Sequence, residues 1–149
     1  MTRPVRLAVR AIILHSDRLL MVNAWPTGKS DLLCAPGGGV HPHQSLPENL
    51  AREVYEETGA TIRVGPVVMI NEFHDPHGPF HQVDIYFRCE LTGDLPETWT
   101  DPEGVVTERH WLTRDEISGR RVKPDSLADV AWEGSALGAA YDPLEPILR

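Results

Sequence analysis

The alternation of apolar and polar residues predicts a chain rich in β-strands. Arg6–His15 and Arg18–Ala24 are dense in Val, Ile and Leu and are each predicted as a strand. His81–Leu91 alternates strictly between apolar and polar residues, which is typical of a strand with two different faces. Ile62–Phe73 is also β-prone, and we expect a bend or bulge where Gly65-Pro66 interrupts it.

The segment between Ser45 and Gly59 is predicted as a helix. Ser45 followed by Glu48 is the pattern of a capping box at a helix N-terminus. Gly59 stands where a C′ glycine would end the helix. Apolar residues recur at every fourth position and form one stripe along the helix: Leu46, Leu50 and Val54.

Three consecutive glycines, Gly37–Gly39, lie shortly before this helix. Glycine is costly in a strand interior and tolerates positive φ, so these residues are predicted to form a loop. One helix between β regions, with a second near the C-terminus, favours a mixed α/β sandwich over a doubly wound sheet. Because no composition shift marks a boundary, residues 1–149 are expected to form one domain.

The last third of the chain gives weaker signals. A Trp111-Leu112 strand is expected, and Thr113 with Glu116 predicts a short capped helix after it. Pro124–Leu137 is predicted as a further helix. The tail from Tyr141 contains two prolines and is expected to be irregular.

The charge balance narrows the classes of partner. Of the 149 residues, 22 are acidic and 14 are basic, giving a formal net charge of −8. Such a chain repels nucleic-acid polymers, and a divalent cation would have to mediate its encounter with a polyphosphate. No membrane span or signal peptide is evident, so we expect a cytoplasmic protein in which Cys34 and Cys89 are free thiols.

A cluster of carboxylates gives the first indication of chemistry. Glu53, Glu56 and Glu57 stand at i, i+3 and i+4, so they project from one face of the predicted helix. Their mutual repulsion would be relieved by a cation, and oxygen ligands suit Mg²⁺ or Mn²⁺. Glutamates on a helix more often form a solvated face. Here the preceding glycines offer backbone groups beside the carboxylates, which favours the metal site.

These residues resemble the signature of the Nudix family. The family's box is Gly, five residues, Glu, seven residues, and then Arg-Glu-aliphatic-x-Glu-Glu-x-Gly-aliphatic. This chain matches it at seven positions: Gly38, Arg52, Glu53, Val54, Glu56, Glu57 and Gly59. The resemblance covers about residues 5 to 118. It implies the Nudix fold, an α/β/α sandwich of the α+β class in which a mixed β-sheet packs between helices.

The chain departs from the box at two positions. Gln44 replaces the first glutamate, and Ala60 replaces the final aliphatic residue, whose packing role Ile62 is positioned to take. Gln44 is neutral, so any contribution of charge to a metal site is lost there, although its amide still forms hydrogen bonds. Weaker activity or an altered metal preference is expected.

The resemblance also implies roles for particular residues. Glu53 and Glu57 would be the main metal ligands, Glu56 would bind a second ion or a ligating water, and the Gly37 carbonyl would complete the coordination. Arg52 would orient these carboxylates by charge-assisted hydrogen bonds. The expected reaction is Mg²⁺-dependent hydrolysis of a phosphoanhydride bond, with Mn²⁺ as the alternative ion.

The general base is expected on the acidic loop before Trp111, where Glu103 and Glu108 are the candidates. Either one alone could equally be a solvated loop residue. The aromatic residues predicted in loops, Trp25, Phe80 and Trp99, could stack on a base or nicotinamide ring. Three histidines cluster around a proline-rich loop, but their spacing matches no structural zinc finger: His74, His77 and His81.

The substrate is left open between classes. Pro76 falls near a position where ADP-ribose pyrophosphatases tend to place a proline, which favours ADP-ribose or a nucleotide sugar. A nucleoside triphosphate, including an oxidised one, is the close alternative. Gln44 keeps open a regulator that binds nucleotides without hydrolysing them, whereas the intact glutamate triad favours an enzyme. The partner would be a small nucleotide, and a homodimer is compatible with the family.

Overall fold

A computed structural model describes residues 4–134 and 139–149. Within these residues the chain forms eight strands: β1 Arg6–His15, β2 Arg18–Asn23, β3 Leu33–Cys34, β4 Gly37–Gly39, β5 Ile62–His74, β6 His81–Leu91, β7 Arg109–Leu112 and β8 Ala140–Pro146. The same residues form three helices: α1 Leu46–Thr58, α2 Arg114–Ser118 and α3 Leu127–Glu133.

The strands form one mixed sheet with β1 near its centre. The order is β3-β2-β1-β6-β5-β8, with β4 pairing to β1 and β7 pairing to β2. β1 runs parallel to β6 and β5 runs parallel to β8, whereas the other pairs are antiparallel. Because β1 pairs with β6, β4 and β2, it connects every part of the sheet.

Helices cover both faces of the sheet. On one face, α1 packs Leu50 and Val54 against a buried cluster that includes Val9 and Phe87. On the other face, α2 and α3 pack against a second cluster, to which they contribute Ile117, Leu127, Val130 and Ala131. The predicted sandwich, a mixed sheet between helices, is therefore confirmed.

Local signals predicted α1, α2 and the bend in β5 correctly. The Ser45 hydroxyl accepts a hydrogen bond from the Glu48 amide at 3.1 Å, and Gly59 ends α1 with φ 76°. Thr113 and Glu116 form the full capping box at the start of α2. The β5–β6 register shifts on both sides of Val67, next to the predicted interruption.

The prediction of a loop at Gly37–Gly39 was wrong, because these residues form β4 and pair with Ala8 to Arg10 of β1. A Cβ on Gly37 would lie 2.0 Å from the Val9 carbonyl oxygen. A Cβ on Gly38 would lie 2.5 Å from a carboxylate oxygen of Glu53. Glycine is therefore needed here for close approach to β1 and α1.

The expected irregular tail was also wrong, since β8 pairs in parallel with β5 along the edge of the sheet. Its prolines suggested a loop, but an edge strand tolerates proline because one side of its backbone needs no partner. The predicted helix Pro124–Leu137 is shorter than expected, and α3 spans Leu127–Glu133. Residues 135–138 of that prediction lie outside the described residues.

The two cysteines are free, as predicted. Burial raises the pKa of the Cys34 thiol to about 11 and that of the Cys89 thiol to about 12. Among the described residues, none of the helices is both long and apolar enough to cross a membrane.

Gly59→Ala should lower the free energy of unfolding more than Gly104→Ala does. Both glycines have positive φ, 76° and 72°, which costs an alanine about 1–2 kcal/mol. A Cβ at Gly59 would also lie 2.5 Å from Pro96 Cγ, whereas a Cβ at Gly104 meets no atom within 4 Å. The clash should add about 1–3 kcal/mol. Urea denaturation measures both losses, and equal losses would contradict this packing.

Candidate active site

Helix α1 is fixed to the segment that precedes it by a buried asparagine. The Asn49 side chain accepts a hydrogen bond from the His41 amide at 2.8 Å and donates to the carbonyls of Gln44 and Ser45 at 3.1 and 2.9 Å. Its oxygen also accepts from Arg52 at 3.0 Å. Asn49 therefore sets the start of α1 and the direction of the Arg52 side chain.

The three glutamates of α1 are divided between two environments. Glu53 and Glu57 line a cavity of about 580 Å³ together with Gly37–Gly39, whereas Glu56 does not line it. Arg52 donates to Glu53 at 3.0 Å and to Glu56 at 3.4 Å. The Gly37 amide donates to Glu57 at 3.0 Å. The backbone groups predicted to lie beside the carboxylates are therefore present, supplied by a strand.

Burial makes the negative charges in this cavity costly. It raises the pKa of Glu57 to about 8, against the stabilising effects of Arg10 and the Gly37 amide. Burial also raises the pKa of Glu53, with Arg52 opposing it. The two carboxylates, beside the backbone of Gly37 and Gly38, are oxygen donors of the kind that a hard divalent cation takes, and a bound cation would offset the cost of ionising them.

These carboxylates are engaged by the protein itself. In the described part of the chain, no three His, Cys, Asp or Glu side chains converge as a ready set of metal ligands. Arg52 holds Glu53 and Glu56, and the Gly37 amide holds Glu57. Oxygen donors are available, but binding an ion requires these hydrogen bonds to be exchanged or shared.

Arg10 connects the glutamates to the floor of the cavity, a role the sequence reading missed. Its guanidinium donates to the carbonyls of Ala35 at 3.1 Å and Gly37 at 3.5 Å. Its Nε lies 3.7 Å from a carboxylate oxygen of Asp84. The attraction of Arg10 also favours the charged form of Glu57. Arg10 thus holds the β3–β4 segment and balances two buried acids.

The floor itself is a row of buried polar side chains on β6 and its neighbours. Gln82 Nε2 donates to Asp84 Oδ1 at 2.7 Å, and Arg6 donates to Gln82 Oε1. Gln82 and Asp84 are 1% and 3% exposed. The only sequence signal was their alternation on one face of β6. It could not show that the same face of β1 presents Arg6 and Arg10 beside them.

The two candidates for the general base lie in different places. Glu103 lines the cavity with Glu53 and Glu57, and its own amide donates to the buried carboxylate of Asp101 at 3.0 Å. Glu108 does not line the cavity, and its side chain lies 3.2 Å from both Thr27 Oγ1 and His110 Nε2. The structure brings only Glu103 to the α1 glutamates.

The aromatic candidates are divided in the same way. Trp25, Phe73 and Phe80 line the cavity, and the rings of the two phenylalanines are 5.7 Å apart. Trp99 does not line it, and the Arg109 guanidinium lies 3.8 Å from its ring centre. Trp25 is held by Asn23, whose amide donates to its carbonyl at 2.9 Å.

The remaining candidates lie away from the cavity. His74 and His81 face each other across β5 and β6 with ring centres 5.9 Å apart, and neither lines the cavity. His77 and Pro76 are exposed in the turn between these strands. Gln44 is also exposed and does not line the cavity, so its missing charge lies outside the acidic cluster.

The family model and the relatives of similar sequence agree on one family. The family model of the NUDIX domain matches residues 4–132. A MutT-like protein of Streptomyces ambofaciens is 30% identical over 114 residues, which cover 76% of this chain and 67% of that protein. The human protein named nucleoside diphosphate-linked moiety X motif 6 is 31% identical over 84 residues, covering 56% of this chain and 24% of that protein.

Solved structures show the same fold. A NUDIX hydrolase from Nitrosomonas europaea superimposes with a TM-score of 0.72 at 22% identity, covering 85% of each chain. The chain spans about a quarter of the length of the human relative and about two thirds of the Streptomyces one.

The stability of the metal-free protein should fall as the pH rises from about 5 to about 8. The pKa of Glu57 is raised from 4.5 to about 8 on folding, so in this range the folded state binds more protons than the unfolded state. The contribution of the protonated Glu57 carboxyl to the free energy of unfolding is complete below pH 4.5 and is lost as the pH passes about 8. Glu57→Gln should remove this part of the pH dependence.

Urea denaturation in the presence of a chelator, at several pH values between 5 and 9, measures how the free energy of unfolding of the wild type and of Glu57→Gln depends on pH. The glutamine keeps an acceptor for the Gly37 amide, so the loss of the titrating proton is the main change. The same pH dependence in both proteins would show that Glu57 does not titrate there.

Proposed function

Because this chain belongs to the Nudix family of hydrolases, we propose that it hydrolyses a phosphoanhydride bond in a nucleoside diphosphate linked to another group, with Mg²⁺ as cofactor. The observation that carries the proposal is a single cavity lined both by Glu53, Glu57 and Gly37 and by the aromatic side chains of Trp25, Phe73 and Phe80. Such a cavity offers oxygen ligands beside a surface for a ring.

Glu53, Glu57 and the Gly37 carbonyl would hold the cation, with Glu56 serving a second ion or a ligating water. The donor set fits, because it consists of hard oxygen atoms and because a bound cation offsets the cost of ionising Glu53 and Glu57. The ion would supply neutralisation of the charge on the attacking and leaving oxygens of the diphosphate.

The protein side chains have separate tasks in this scheme. Arg52 holds Glu53 and Glu56 in place through its two hydrogen bonds and does not line the cavity. Glu103 would accept the proton of the attacking water, since it faces the same cavity as the α1 glutamates. Arg10 would orient the Gly37 carbonyl through its hydrogen bond and would favour the charged form of Glu57.

The favoured substrate is ADP-ribose or a nucleotide sugar. Trp25, Phe73 and Phe80 offer a surface on which a heteroaromatic ring can stack. The name of the human relative refers to a nucleoside diphosphate-linked moiety, which is the same general class. A nucleoside triphosphate remains the alternative to be tested beside it.

Incubation with Mg²⁺ and a panel of nucleotides should identify the substrate class. ADP-ribose or a nucleotide sugar should be turned over in preference to dinucleoside polyphosphates and nucleoside triphosphates. Glu57→Gln should lower kcat by about 10²-fold or more, since a metal ligand is lost. Glu90→Gln is the matched control, because Glu90 is exposed and pairs with Arg63. An absence of turnover with both Mg²⁺ and Mn²⁺ would favour a nucleotide-binding regulator.

Glu103→Gln should lower kcat by about 10²- to 10⁴-fold with little change in KM, as expected for loss of a general base. Glu108→Gln should retain most of the activity, because Glu108 lies outside the cavity. A larger loss in Glu108→Gln than in Glu103→Gln would assign the base to the other residue.

A further inference from the structure

The cavity has a wall that lies beyond the matched family domain. The domain match ends at residue 132, whereas Glu145, Pro146, Ile147 and Leu148 line the cavity. These residues belong to the segment 140–149, which comprises β8 and the three residues after it. We call this segment the edge wall. The edge wall therefore lies outside the residues that the family model matches.

The edge wall is held by specific contacts. Asp142 is buried and accepts hydrogen bonds from Asn71 Nδ2 and Ser126 Oγ, both at 2.8 Å. The Ile147 amide donates to the His74 carbonyl at 2.6 Å. Parallel pairing with β5 adds backbone hydrogen bonds along its length. The wall is thus fixed in position and can limit what enters the cavity.

Within the edge wall, β8 stands apart from the α1 glutamates. The last residue instead returns toward the other side of the cavity, because the Arg149 carbonyl accepts from Arg121 at 3.1 Å and its guanidinium lies 5.8 Å from the Trp25 ring. In this part of the sheet β4 and β8 are opposite edges, with β1, β6 and β5 between them. Four inter-strand spacings separate the two edges by roughly 19 Å. A substrate whose anhydride lies beside Gly37 and Glu57 would therefore reach Glu145 of β8 only with a group remote from that bond.

The chemistry of this remote end is apolar and electrically balanced. Ile147 and Leu148 line it, and Phe73, whose strand position pairs with Glu145, lies beside them. Lys123 Nζ lies 3.0 Å from the Glu145 carboxylate and 3.1 Å from that of Asp125. Arg149 pairs with Asp75 at 3.8 Å. Lys123 lines the cavity and already has two carboxylate partners, whereas Arg149 does not line it.

We propose that the edge wall selects the remote group of the substrate, accepting an uncharged planar ring and rejecting a group that carries a further phosphate. The apolar residues favour binding of the ring. Glu145 disfavours binding of a further phosphate, because it neutralises Lys123 and because its own negative charge repels the phosphate. The proposal rests on the proposed function for the identification of the ligand as a nucleotide and for the position of its phosphates beside Glu57.

Calorimetric titration with AMP and with adenosine 2′,5′-bisphosphate tests the selection without hydrolysis. The wild-type protein should bind AMP more tightly than the bisphosphate. In Glu145→Gln, Lys123 keeps only Asp125 as a partner. The ratio of the affinities for AMP and for the bisphosphate should therefore fall by about fivefold, which corresponds to the free energy of a partly exposed ion pair. This fall should be smaller at high salt. Glu133→Gln is the matched control, since Glu133 pairs with Arg114 away from the cavity.

A second variant addresses the apolar part of the wall. Leu148→Ser should weaken AMP binding while leaving the ratio of the two affinities unchanged. The proposal is overturned if the wild type binds the bisphosphate as tightly as AMP, if it binds neither nucleotide, or if Glu145→Gln behaves like Glu133→Gln. Selective binding without turnover would support the proposal for the edge wall and contradict the proposed hydrolase function. Turnover with equal binding of the two nucleotides would support the hydrolase function and contradict the proposal for the edge wall.

Discussion

The cost of placing two ionisable glutamates in a partly closed cavity is the constraint on which the rest of the site depends. Burial raises the pKa of both Glu53 and Glu57. The protein offsets part of this cost with Arg52, Arg10 and the Gly37 amide. The compensation is incomplete, since the pKa of Glu57 is still raised to about 8, and a divalent cation would supply the remainder.

The fold meets this constraint through the strands that flank α1. A strand of three glycines allows the backbone to approach Glu53 and Glu57 more closely than any side chain would permit. The next strand, β1, presents Arg10 on the face that lines the cavity, while Val9 on its other face packs against α1. The alternation of a single strand therefore supplies both the apolar support of the helix and the charge that balances its carboxylates.

Features encoded by neighbouring residues could be predicted, whereas those created by strand pairing could not. Helix α1 follows from its cap, its apolar stripe and Gly59, all within fifteen residues. The approach of Arg10 to Asp84 depends on the register of β1 and β6, which are far apart in sequence. The edge wall was missed for a related reason, because its prolines suggest a loop until a partner strand is known. Sequence spacing likewise could not show which of Glu103 and Glu108 lines the cavity. The path of the acidic loop brings Glu103 to the cavity and leaves Glu108 outside it.

Titration of the protein with Mn²⁺, followed by electron paramagnetic resonance, tests most directly whether the α1 glutamates form a metal site. The wild-type protein should bind the ion and release protons at pH 7, because binding requires Glu57 to be ionised. Glu57→Gln should bind it at least about tenfold more weakly and release fewer protons. Equal affinity in the two proteins, or no binding to either, would contradict the account of this cavity as the metal centre of a hydrolase.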